Sequence, residues 1–345
     1  MGSNWHPLRE LVLARVREFY RQPEAVFWVY GFPILLVVGL GIAFRDAPAT
    51  RVAVDVQLGE GAQALVQSLE DDGRFAVAIH DEVTTRRRLR TGRTDLVVVP
   101  GDPVEYWFDP ARPDSVLARQ AVDDTVQRFG GRKDTVRTGD VPFQEPGARY
   151  IDFLLPGILG MNLMGGGLWG VGFAIVDMRI RKLLKRFVAT PMKKQHFLMS
   201  IMVSRMLFTI PEVILLVVFG RVAFGVVNYG SWLALTAVIV LGAVAFSGIG
   251  LLVACRAKTL ESVSGLMNLV MLPMWVLSGV FFSHERFPDA AQPFIRALPL
   301  TSLNDALRAT MLEGLPLSSL GVEIATLFSY AIVTFALALR WFRWT

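Results

Sequence analysis

Cysteine is almost missing from this 345-residue chain: Cys255 stands alone, so no disulfide can form within it. It lies in an apolar stretch and reads as a small core hydrophobe. Histidine is scarce too. His6, His80, His196 and His284 are scattered and lack metal-ligand spacing. There is no Gly-x-Ser-x-Gly elbow, and no lysine follows a glycine anywhere, so the chain has no Walker A loop to cradle the phosphates of ATP. Asp123-Asp124, on a helical stretch, reads as a solvated face rather than a catalytic pair. Charge is also thin. Only 19% of residues are charged, where a soluble domain carries about a quarter.

What fills the space is apolar. Hydrophobic residues make up 53% of the chain and the mean hydropathy is +0.45. Uncharged runs at Ala25–Phe44, Phe153–Val176, Val222–Cys255 and Ser262–Ser283 each exceed the roughly 18 residues that cross a bilayer core. The first favours insertion by about 4–7 kcal/mol before discounts for Pro33, Tyr30 and its glycines. It is too long for the apolar core of a signal peptide, and no small-x-small site precedes Arg45, so it is expected to remain as a span. The net charge of +5 and pI of about 9.5 then read as a topology signal, not as a nucleic-acid footprint.

The expected fold is an α-helical polytopic membrane protein with six transmembrane helices and a small α/β domain between the first two. Residues 1–24 hold a basic amphipathic helix, with Leu8, Leu11, Val12 and Phe19 near helical spacing. It lies on the membrane face or is an ordinary solvated helix end. Span one is 25–44, the α/β domain 45–150, and spans two to six fill 151–345. Within the domain, Val52–Val56, Phe75–Ile79, Leu96–Val99 and Val104–Phe108 read as strands; Gly61–Leu69, Thr84–Leu89 and Ser115–Phe129 read as helices. The later spans are expected near Ile151–Val176, Phe197–Phe219, Trp232–Cys255, Ser262–Phe282 and Leu317–Trp341. A Pro-broken stretch at about 285–313 is too short and too charged to cross, and reads as two short helices dipping in from one face. Trp341 and Trp344 stand where an aromatic belt would be. Six spans place both termini on one side. Arg and Lys of the N-terminal helix, of Arg179–Lys194, of Arg256/Lys258 and of Arg340/Arg343 mark that side as cytoplasmic, with the α/β domain outside.

The loop after span two is the most informative stretch. Leu183, Leu184 and Phe187 alternate with Lys182, Lys185 and Arg186 on a short amphipathic helix, at about 180–192, which Thr190-Pro191 then breaks. Such a helix either seats in a groove of a partner or rests on anionic lipid. Glu212 and Glu323 are the costly residues, since an ionised group in the bilayer costs about 2.5–3.5 kcal/mol on insertion scales. They line a pathway or pair across helices, or else they sit near an interface and snorkel. Small-residue stripes at Gly160–Gly172 and Gly242–Gly250 permit close helix approach, for packing or at a dimer seam.

In its order of parts the chain resembles the type-2 ATP-binding-cassette (ABC) permeases of bacteria, in their subgroup with a long external loop. The residues that carry the resemblance are Leu155-Pro-Gly-Ile-Leu-Gly160, Leu183-Leu-Lys-Arg-Phe-Val-Ala-Thr-Pro191, Gly248-Ile-Gly-Leu-Leu-Val-Ala254 and Leu277-Ser-Gly-Val-Phe-Phe282. Pro288, Leu298-Pro-Leu300 and Asn304-Asp-Ala-Leu-Arg308 follow, and Ala53-Val-Asp55 with Leu96-Val-Val-Val-Pro100 matches the inserted domain. The resemblance implies export of a drug, lipid or glycolipid across the bacterial inner membrane. It implies a separate ATPase subunit in two copies that binds the ATP and Mg, with no catalytic residue, metal or cofactor in this chain. It implies docking of that subunit on Lys182–Pro191, bracing by the N-terminal helix, and a second permease copy, either identical or a paralogue. Many relatives carry an acidic-Arg-acidic-x-Gly-Thr run before the docking helix, of which only Asp177 and Arg179 remain here. A proton-coupled carrier using Glu212 and Glu323, and a non-transporting signalling scaffold, are the rival classes.

Overall fold

The computed structural model describes residues 6–43, 51–133, 149–188 and 194–342. They form two compact units, one from residues 46–143 and the other from the remainder.

The smaller unit is a four-stranded sheet in the order β2-β1-β3-β4. β1 (Val52–Gln57), β2 (Phe75–His80) and β3 (Leu96–Val99) are parallel, and β4 (Glu105–Trp107) closes the edge antiparallel to β3. The helices are α3 (Ala62–Asp72), α4 (Glu82–Arg90) and α5 (Pro113–Phe129), numbered after the two N-terminal helices described below. Val54, Val56, Leu69, Phe75, Leu96, Val98 and Val122 make its core. Buried Asp55 would be costly alone; Arg88 Nε reaches it at 2.7 Å. At the end of α3, Arg74 and Thr125 both donate to Asp72, at 2.7 and 2.8 Å, which ties α3 to α5.

In the larger unit, α1 (His6–Tyr20) ends just before Pro23, which opens α2 (Pro23–Ala43). Pro33 has no N–H to give the carbonyl four residues back, and the backbone just before it, Phe27–Gly31, widens into a π-turn. The remaining long helices are α6 (Tyr150–Ile180), α8 (Lys194–Phe224), α9 (Trp232–Ala254), α10 (Leu260–Leu277) and α13 (Gly321–Trp341). Together with α2 they give six helices long and apolar enough to cross a bilayer. Between them lie the short α7 (Leu183–Val188), α11 (Gln292–Ala297) and α12 (Pro299–Met311). α12 is too short to cross, yet it is mostly buried, wedged against α6, α9 and α13.

Several element ends differ from the sequence expectation, α8 running on to Phe224 rather than Phe219 among them, and two have a plain local cause. α10 stops at Leu277 rather than Phe282, because Gly279 turns the chain in a left-handed conformation (φ 71°). α13 starts at Gly321 rather than Leu317, because Pro316 leads into a separate short turn at Leu317–Ser319. The two glycine stripes meet within the one chain. A Cβ on Gly167 would overlap Phe246 and Ser247 of α9, and one on Gly250 would overlap the Gly167 carbonyl of α6. Around that crossing α6 also widens into a π-turn, Leu168–Phe173.

Two outcomes follow. Gly250→Val should force α6 and α9 apart and cost about 1–3 kcal/mol of stability, read as a lowered melting point in detergent. In the smaller unit, Arg74 holds the Asp72 carboxyl down at about 2, below its ordinary 3.8, with Thr125 assisting. A depressed carboxyl stabilises the fold fully above about pH 4 and loses that contribution as pH falls towards 2. Asp72→Asn should therefore flatten the acid loss of this unit between those values, measured as its thermal unfolding against pH.

Candidate functional site

Three of the stretches that stand out in the sequence converge at one end of the helix bundle. Arg308 of α12 donates to the Phe153 carbonyl in the first turn of α6, at 3.3 Å, and to the Gly279 carbonyl beyond α10. Its guanidinium also lies 3.7 Å from the centre of the Phe153 ring. One turn back, Asn304 Nδ2 donates to the Ser278 carbonyl at 2.8 Å. Glycines make room for both. A Cβ on Gly157 would strike the Val280 carbonyl and Arg308, and one on Gly160 would strike Asn304 Oδ1. His284 closes the cluster from the loop after α10, 3.2 Å from Asp305.

Further along α8, Arg205 and Glu212 stand two turns apart on one face and pair at 3.0 Å, both nearly fully buried. The guanidinium lies in a notch on α6: a Cβ on Gly166 would overlap it, and Gly170 packs against its stem. An ion pair inside an apolar bundle needs this fit, because desolvating each charge costs several kcal/mol. Glu212 thus pairs along its own helix. Glu323 lies elsewhere, half-buried in the first turn of α13, within electrostatic reach of Asp305. The helix N-terminus favours a carboxylate there. The structure does not bring Glu212 and Glu323 together.

At the other end of α6 the chain turns sharply through Lys182, which takes a left-handed φ of 57°, into α7. Leu184 is buried and Leu183 half-buried, while Lys182, Lys185 and Arg186 are exposed. The Phe187 side chain, Thr190 and Pro191 fall outside what the structure describes. Asp177 pairs with Arg181 at 3.0 Å. α1 packs along α8: Leu11 and Val12 are half-buried, and Phe19 stacks on Phe208 at 4.3 Å. The Leu8 side chain is likewise outside the described set.

Sequence reasoning missed Arg205, Arg308 and Arg149 as structural groups. The signal was there for Arg205, a lone guanidinium amid Ile201–Leu207, which an apolar span tolerates only with a partner.

Six helices long and apolar enough to cross a bilayer, tied together by interhelical polar contacts, define a multi-pass membrane protein. The model of the ABC-2 family transporter proteins matches residues 24–340, and the chain belongs to that family. It is similar to Nodulation protein J of Rhizobium meliloti, with 29% identity over 196 residues, covering 56% of this chain and 73% of that one. It is also similar to the inner membrane transport permease YadH of Escherichia coli K12, with 24% identity over 200 residues, covering 56% and 77%. A Nodulation protein J of Rhizobium leguminosarum is 34% identical over 111 residues, 31% of this chain and 42% of its own.

Removing one member of the Arg205–Glu212 pair strands the other charge. Arg205→Met or Glu212→Leu alone should cost about 3–5 kcal/mol, while the two together should cost much less. A double-mutant cycle on thermal stability in detergent measures the difference.

Proposed function

We propose that this ABC permease is the membrane-spanning half of an ATP-driven exporter in the bacterial inner membrane. It moves a hydrophobic or amphipathic substrate (a drug, lipid or glycolipid) out of the cytoplasm or inner leaflet. Two copies of a separate ATPase bind the ATP and Mg, and a second permease copy, identical or a paralogue, completes the path. Both termini and α7 face the cytoplasm, and the α/β unit lies outside.

The observation that carries this reading is the form of α7. Leu184 anchors it in the bundle core while Lys182, Lys185 and Arg186 point away, so a basic knob is held at a fixed place on the protein. A helix that merely rested on lipid would turn its apolar residues to the membrane, and here Leu183 and Leu184 pack against protein. α1 packs along α8, with Phe19 stacked on Phe208, and in this reading braces the docked subunit from beside the bundle. When the two ATPase subunits close on ATP, the two α7 helices are drawn together and the spans shift to open outward. The names of the relatives, a transport permease among them, support transport over signalling. Glu212 pairs along its own helix with Arg205, away from Glu323, which weighs against a proton relay built from the two carboxylates.

Reversing the exposed charges tests the docking. Lys185→Glu with Arg186→Glu should weaken co-purification with the ATPase by about tenfold or more and flatten its loss with salt, leaving the melting point of the permease in place. Undiminished ATPase binding by the double variant would remove α7 as the contact.

A further inference from the structure

Arg179 is the penultimate residue of α6, just ahead of the turn into α7. Its guanidinium donates to the carbonyls of Ala254 at 2.9 Å, Cys255 at 3.1 Å and Ala257. Those three carbonyls end α9 and form the turn that enters α10. They need donors, because the last carbonyls of a helix have no partner within it. One planar fork serves all three, and a lysine could not, being a point charge with a different donor geometry.

The two sides of this contact differ in stiffness. On the α7 side the link is short and tight: Arg181 N donates to the Asp177 carbonyl at 2.9 Å, and Lys182 N donates to the Arg179 carbonyl at 3.0 Å. A displacement of α7 is therefore handed to the end of α6 rather than taken up in slack chain. On the other side, α10 is less embedded than α9, with 22% of its most apolar stretch buried against 67%. One face, Val263, Met267, Met271 and Met274, packs into the core, and polar contacts grip both ends, by Arg179 through the turn before it and by Asn304 and Arg308 through Ser278 and Gly279 after it. A helix with one packed face and gripped ends moves as a unit when an end is moved.

We infer that Arg179 is the positioning residue that passes the movement of α7 into α10 through the carbonyls of the α9–α10 turn. The inference rests on α7 being the ATPase contact, and it names the next part of the chain that contact drives.

Nitroxide labels on Arg181→Cys, exposed at the turn into α7, and on Leu272→Cys on the exposed side of α10 test it, in the full permease assembled with its ATPase in nanodiscs. Cys255 is buried and stays unlabelled. Trapping with ATP and vanadate should change oxygen accessibility at both labels by about fivefold in the parent protein, in the range of typical coupling between sites. In Arg179→Leu the α7 label should still respond, while the α10 label should change by less than about twofold; Arg179→Lys should fall between. A full α10 response in Arg179→Leu overturns the inference, and if that variant fails to assemble, a full response in Arg179→Lys does so. A parent protein whose α7 label ignores trapping while ATP is hydrolysed refutes the coupling role of α7, a distinct result.

Discussion

A helix that ends among apolar side chains leaves its last carbonyls without partners, and in lipid there is no water to supply donors. This bundle meets that constraint with arginines. Arg149 donates to the Phe224 carbonyl where α8 ends, at 2.9 Å, Arg179 serves the end of α9, and Arg308 serves the turn after α10. Each of these guanidinium groups comes from a different element than the one it satisfies. Capping and tertiary fixation are therefore one interaction, and the ends of the spans are located by the arginines that close them.

The glycines of α6 are the other half of the same design. Arg308 and Asn304 reach their carbonyls only because Gly157 and Gly160 leave room beside them, and Arg205 enters α6 at Gly166. Further along, Gly167 lets α9 approach backbone to backbone. α6 is thus a hub with one smooth side for a helix and notches for guanidinium groups. A larger residue at any notch would displace a charged group that has nowhere cheaper to go.

Much of the architecture was readable because its signals are strong and local. Uncharged runs long enough to cross a bilayer admit few other folds, and the alternation in Val52–Val56 and Phe75–Ile79 yields strands of nearly those limits. The ends of α10 and α13 were less legible, since they depend on Gly279 adopting positive φ and on Pro316 starting a separate turn. Least legible were the partners. Glu212 stands out as costly, and its counter-ion lies in the same apolar run, seven residues earlier, where the sequence alone does not say that the two pair along one helix. The roles of Arg308 and Arg179 could not be read at all, for their partners are backbone carbonyls and carry no residue-type signature.

The division of labour between the two basic residue types fits this view. Among the described residues every lysine whose side chain is placed, Lys133, Lys182, Lys185 and Lys258, is exposed, whereas the cations inside the helix bundle are arginines. An ammonium is a compact, strongly hydrated charge and loses most on leaving water; a guanidinium is weakly hydrated and offers a planar fork to several acceptors at once. Buried carbonyls at helix ends select the second, and a knob presented to water or to a partner accepts the first. Arg179 stands at the boundary between these regimes, facing inward to three carbonyls while the lysines just after it face out. Where the chain passes from α6 into α7, residues that stay wet therefore follow directly on one that grips backbone.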